Sequence, residues 1–185
     1  RRQEVLPMEP QRTVLSETKR LYHEDNFATT PQLNMVWPTV EQYTTDAYAL
    51  DVLGEILSQG KKAALYKVLV KERDLTSRTS AYGNAQELAG EFYITITANN
   101  GKSLKDVEQG VYDAFALFEK EGVTDRDVER IKAGLETQFY NGISSVLGKS
   151  FQLAQYNVFT GDPAFIEKDI QNIKDVTKED IMRVY

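Results

Sequence analysis

Phe92, Ile94, Ile96 and Ala98 alternate with Tyr93, Thr95 and Thr97, and this alternation constrains the fold more than any other stretch of the chain. A period of two sends the apolar set to one face of an extended strand and the hydroxyl-bearing set to the other. A sheet containing such a strand has one buried face and one wet face, which is the habit of antiparallel sheets. Asn99-Asn100-Gly101 supplies the turn that ends it. Thr76–Tyr82 is read as a more polar partner strand, and Leu33, Met35 and Trp37 share one face of another, expected to stop at Pro38. Thr13–Leu15 and Lys19–Tyr22 are read as two further short strands.

The remaining apolar residues follow a helical period. Tyr43, Ala47, Leu50, Leu53 and Leu57 mark a helix ending at Gly60, and Leu65, Val68 and Leu69 mark a second one reaching about Arg73. Three later helix starts share one device, a hydroxyl residue followed three positions on by Asp: Ser103/Asp106, Thr124/Asp127 and Thr177/Asp180. The hydroxyl accepts from an orphan amide of the first turn, and the acid complements the helix dipole. Leu104, Val107, Val111, Phe115 and Phe118 form the stripe of the first of these helices. Val128, Ile131, Leu135 and Phe139 form that of the second, whose apolar spacing is expected to carry it past Gly142 and Gly148 to Phe159. Gly161-Asp162-Pro163 breaks it, a shorter helix spans about Phe165–Ile173, and another begins at Thr177. Helices segregated from an antiparallel sheet predict an α+β layer, with a mixed sheet as the alternative and the helices on one face.

Residues 1–12, with Pro7 and Pro10 among polar neighbours, read as an extended linker, and 13–185 as one α+β domain. The chain starts at Arg1 and stops two turns into its last helix, so it is expected to be a fragment of a larger multidomain protein, cut at its C-terminal end. No apolar run approaches the roughly 20 residues of a membrane span. Lys and Arg total 22 against 28 Asp and Glu, with the signs interleaved as in Lys71-Glu72-Arg73-Asp74. Such a chain lacks the clustered cations that nucleic-acid backbones demand.

Chemistry is limited by the donor inventory. There is no cysteine and one histidine, His23. Zinc catalysis takes about three protein ligands, usually including His, and an open position for water. His23-Glu24 opens like HExxH, but Phe27 stands where the second His belongs; the inverted HxxEH fails at Asn26 and Phe27. No Ser lies in a GxSxG elbow. Gly142–Ser150 resembles a phosphate-binding loop with one residue too many, in a helical rather than a strand context. The paired acids Asp125/Asp127 and Glu179/Asp180 fall at capped helix starts, where the dipole accounts for them. No catalytic or metal-binding residue is assigned.

Four segments nevertheless carry a resemblance: Leu33-Asn34-Met35-Val36-Trp37-Pro38, the run from Ala49 to Gly60, Leu65-Tyr66-Lys67-Val68-Leu69-Val70, and Ala89-Gly90-Glu91-Phe92. In order and spacing they resemble the pitrilysin/insulinase family of zinc metallopeptidases, over nearly the whole chain from about Pro10. The likeness is to a domain other than the one bearing zinc. It implies an α+β domain that packs against a catalytic HxxEH domain of the same or a partner chain, walls a peptide-binding chamber, and leaves zinc to that other domain. An Arg and a Tyr that hold substrate in some family domains fall here on Val70 and Ser77, so neither survives. Arg73 and Arg78 lie close enough to stand in, against the plainer reading of exposed cations flanking a strand. Two rival readings are a catalytically inactive family member serving as a structural or assembly subunit, and an unrelated binding domain, which a doubly wound parallel sheet would favour.

Overall fold

A computed structural model describes residues 13–185. The linker expected over 1–12 lies outside the described residues. Three strands form one sheet: β1 (Gln32–Thr39), β2 (Ser80–Ala85) and β3 (Gly90–Thr97), in the order β1-β3-β2. Both pairings are antiparallel. The alternating strand is therefore central, and its apolar set is buried, with Ile94 and Ile96 fully inaccessible.

Six α-helices and one π-helical stretch accompany the sheet: α1 (Thr45–Ser58), the π-helix (Tyr66–Glu72), α2 (Leu104–Glu121), α3 (Asp125–Gly142), α4 (Val146–Phe159), α5 (Ile166–Asp175) and α6 (Lys178–Val184). Helix α1 lies along β2, and α3, α5 and α6 pack against α1. The approach of α1 to β2 depends on Gly54, where a Cβ would stand 2.8 Å from the carbonyl oxygen of Ala81. Helix α2 packs on the π-helix and on β1. The three expected caps are present: Ser103, Thr124 and Thr177 accept from the amides of Asp106, Asp127 and Asp180 at 3.1, 3.2 and 3.1 Å.

Several boundaries differ from the sequence expectations. Pro38 does not stop β1, which runs on to Thr39. An outer strand can spare an amide on its unpaired side, so proline fits there. The partner strand starts at Ser80, not Thr76. The hydroxyl of buried Thr76 instead donates to the carbonyls of Arg78 and Thr97, at 2.9 and 2.7 Å, and bends the chain before it joins the ladder. Thr13–Leu15 and Lys19–Tyr22 form no strands. Val14 and Leu21 are almost fully exposed, and the segment is held to α2 by Arg20 and Glu108, 2.5 Å apart. The helix expected over 65–73 winds as a π-helix, with the amide of Arg73 reaching back to the carbonyl of Val68.

The long helix expected from Thr124 to Phe159 is two helices. Ser145 caps the second by accepting from the amide of Gly148 at 3.0 Å. A Cβ on Gly148 would stand 2.0 Å from the carbonyl oxygen of Gly142. The glycines that suggest a phosphate loop in the sequence thus serve a tight corner between α3 and α4.

Candidate functional site

The structure separates the two cations singled out above. Arg73 closes the π-helix and pairs with Asp113 of α2. Arg78 instead lines a concavity of about 580 Å3 at the head of β2, together with Ser77, Ser80, Tyr82, Thr95 and Thr97. Ser77 shares this concavity, while Val70 sits within the π-helix and does not line it. His23 lies in an exposed coil. Among the described residues, no three His, Asp or Glu side chains come together as a metal-binding group. One exposed imidazole and scattered carboxylates do not fit zinc.

Strand register builds the surface next to Arg78. Ser80 stands opposite Thr95 and Tyr82 opposite Tyr93, while Asn34 and Val36 of β1 face Thr95 and Tyr93 from the other side. These residues form the sheet face that points away from the helical layer. The rings of Tyr82 and Tyr93 stack, with centroids 5.3 Å apart and planes 12° from parallel. Thr95 Oγ1 donates to Asn34 Oδ1 at 3.0 Å. At the far end the Tyr93 hydroxyl donates to Glu91 at 3.2 Å. The face therefore carries a cation at one end, an aromatic pair in the middle and a carboxylate at the other end.

A second concavity, of about 380 Å3, opens where α1, β2, α3, α4 and α5 meet. On its wall lies Asp169, 7% exposed, which accepts from the hydroxyls of Tyr48 and Tyr156, the latter at 2.5 Å. Both carboxylate oxygens are taken, so Asp169 ties α5 to α1 and α4. Burial, reinforced by the neighbouring carboxylate, raises both phenols well above the ordinary tyrosine range. Tyr43, in a left-handed backbone conformation at φ 65°, packs its ring on Tyr156 and Phe165 and is pushed up to about 12 by burial and then by Asp169. Asp51 keeps solvent access, yet the protein crowding its carboxyl, with Glu55 and Asp169 nearby, raises it to about 7. With both Asp169 oxygens engaged by tyrosine hydroxyls, Asp169 acts as a lock between helices.

Sequence reasoning missed this lock because Asp169 reads as an ordinary first-turn acid. A signal was present: Asp169 is four residues after Phe165 and four before Ile173, which places an acid on the apolar stripe of α5. The Tyr82–Tyr93 stack needed the register of two strands and had no signal within either one alone.

Comparison with known proteins agrees with this architecture. The family model described as the peptidase M16 inactive domain matches residues 3–135. Among solved structures, a protease from Helicobacter pylori superposes with a TM-score of 0.75 at 19% identity, covering 88% of this chain and 39% of that one. An inactive peptidase domain from Bordetella parapertussis gives a TM-score of 0.69 at 16% identity, covering 85% and 86%. A chain of complex III2 from Candida albicans gives 0.69 at 12%, covering 86% and 40%. The chain thus spans well under half of the Helicobacter protease. No curated protein sequence matches it. On the family match and the shared fold, this chain belongs to the peptidase M16 inactive domain family, the non-catalytic domain of pitrilysin/insulinase-type metallopeptidases.

Proposed function

We propose that this chain, as a single α+β domain over residues 13–185 of a larger peptidase, is the wall of a zinc metalloendopeptidase chamber and contributes no catalytic group. The observation that carries the reading is α4. Of its 14 residues only Tyr156 is buried. Leu147, Phe151 and Val158 lie along one outward stripe and are 67%, 69% and 66% exposed, with Tyr140 of α3 also 52% exposed. A helix this apolar and this bare suits an interface, and the zinc-bearing HxxEH domain of the same or a partner chain is its occupant. The sheet face beyond the helical layer then turns toward the peptide. A wall of this kind shields the chamber from water and fixes the peptide's path, which raises its effective concentration near the metal.

The test is to mix this chain with the HxxEH domain encoded beside it and to measure association by calorimetry. A one-to-one complex is expected, weakened at least about tenfold in L147D/F151D, since central apolar anchors dominate such interfaces. Undiminished association of that variant, or chelator-sensitive peptide hydrolysis by this chain alone, refutes the proposal. The similarity to a chain of complex III2 favours a second reading, a structural subunit of an assembly without its own catalysis. That reading prevails if no HxxEH domain is encoded with this chain.

A further inference from the structure

The concavity at the head of β2 presents one cation among hydroxyl-bearing residues. Arg78 lines it with the side chains of Ser77, Ser80 and Thr97, and no carboxylate lines it. Arg20, Arg73 and Arg183 each hold a carboxylate, whereas Arg78 holds none among the described residues. Its backbone is fixed on both sides, because Thr76 Oγ1 accepts from the Arg78 amide at 3.3 Å and donates to the Arg78 carbonyl at 2.9 Å. A net charge of −6 repels anions at long range, so only a specific local contact would hold one here. One guanidinium with a few hydroxyls suits a single negative charge with two oxygens.

The neighbouring surface narrows the ligand further. Tyr82 and Tyr93 lie beside Ser80 and Thr95 on the same face, and Glu91 stands six residues along β3 from Thr97. That separation is roughly 20 Å, the length of an extended peptide of about six residues. We propose that this concavity binds a peptide carboxylate, an acidic side chain or a free C-terminus, with the adjoining residue laid across the Tyr82–Tyr93 pair. The proposal rests on the sheet face being a chamber wall, and it gives that wall a substrate preference.

The experiment is a titration of the 15N-labelled full chain followed by NMR. The probes are the peptide Ac-Ala-Ala-Phe-Ala-Ala-Ala as free acid, its C-terminal amide, the amide ending in Asp, and inorganic phosphate. Both carboxylate peptides are expected to move the amides of Arg78, Ser80, Thr95 and Thr97, and the uncharged amide to bind at least about tenfold more weakly. The tighter of the two identifies the source as terminus or side chain. R78Q should abolish the preference and R78K should keep part of it, which covers any loss of folding in R78Q. Equal binding of the uncharged amide, an unchanged preference in both Arg78 variants, or phosphate competing as well as the peptides (an adventitious anion only) overturns the site. L147D/F151D separates this inference from the docking reading: its carboxylate preference must persist whether or not its association with the HxxEH domain is lost.

Discussion

Helices α1 and α4 each run for 14 residues and are similarly rich in apolar side chains, yet α1 buries nine residues and α4 one. Helix α1 is enclosed by β2, α3, α5 and α6. Helix α4 meets its own chain through Tyr156 and the half-buried Gln152, Gln155 and Phe159, and presents Leu147, Phe151 and Val158 outward. Apolarity shows that a surface is meant to be covered. It does not say whether the cover belongs to the same chain. Substitutions sort the two cases, because burial within the chain affects stability and burial against a partner affects association.

The largest effect is expected where α1 is most enclosed. Leu57 is 1% exposed, and Leu57→Ala leaves a cavity that should cost about 2–5 kcal/mol of unfolding free energy. Urea denaturation of the isolated chain measures it. A cost below about 1 kcal/mol would mean that α1 is no better anchored than α4, and the contrast between them would collapse.

The legible parts of this fold were those in which one segment suffices. The alternation of Phe92, Ile94 and Ile96 announced the central strand, and the three hydroxyl/Asp pairs announced three caps, because both signals act within a few residues. The α3–α4 corner was hidden because Val146 and Leu147 continue the helical spacing of α3, although they face outward from a new helix. The π-helix was read as α because the three residues that carry the pattern, Leu65, Val68 and Leu69, suit either winding. At the candidate surface, Arg78 was visible as an isolated cation, but its separation from Arg73 depends on the bend that Thr76 imposes. Asp169 was invisible as a lock because its two partners come from α1 and α4, Tyr48 being 121 residues away.

Asp169 is the point at which the enclosed helix and the bare one are joined. Asp169→Ala leaves the hydroxyls of Tyr48 and Tyr156 buried without an acceptor, and should cost about 2–4 kcal/mol. Tyr156→Phe removes one hydroxyl and leaves Tyr48 in place, so about 1 kcal/mol is expected. Thermal melts of the two variants rank them. If Tyr156→Phe costs as much as Asp169→Ala, the tie to α4 dominates, and α4 is more firmly held by its own chain than its exposure suggests.

The pH dependence of stability offers a smaller test in the same groove. The carboxyl of Asp51 is raised from its ordinary 3.8 to about 7, so the folded chain holds this proton more tightly than the unfolded chain does. That contribution is fully present below about pH 4, falls as pH rises, and is gone above about 7. Asp51→Asn should therefore gain stability relative to the parent between pH 4 and pH 8, by less than about 1 kcal/mol because solvent reaches the group. Denaturation midpoints at the two pH values check the sign, and a parent that gains on Asp51→Asn with rising pH contradicts it.

The smallest effect on stability separates the two helices most sharply. Phe151 is 69% exposed, so Phe151→Ser removes little packing within the chain. The isolated domain should change by no more than about 0.5 kcal/mol, the usual scale for surface substitutions. A phenyl ring lost from a core would cost about 3–5 kcal/mol, so the two outcomes are well separated. Near-neutral folding of Phe151→Ser beside a failing Leu57→Ala would establish that the two stripes, alike in residue type, answer to different partners. A loss of several kcal/mol at Phe151 would show that α4 is held down by its own chain, and the interface would have to be sought elsewhere.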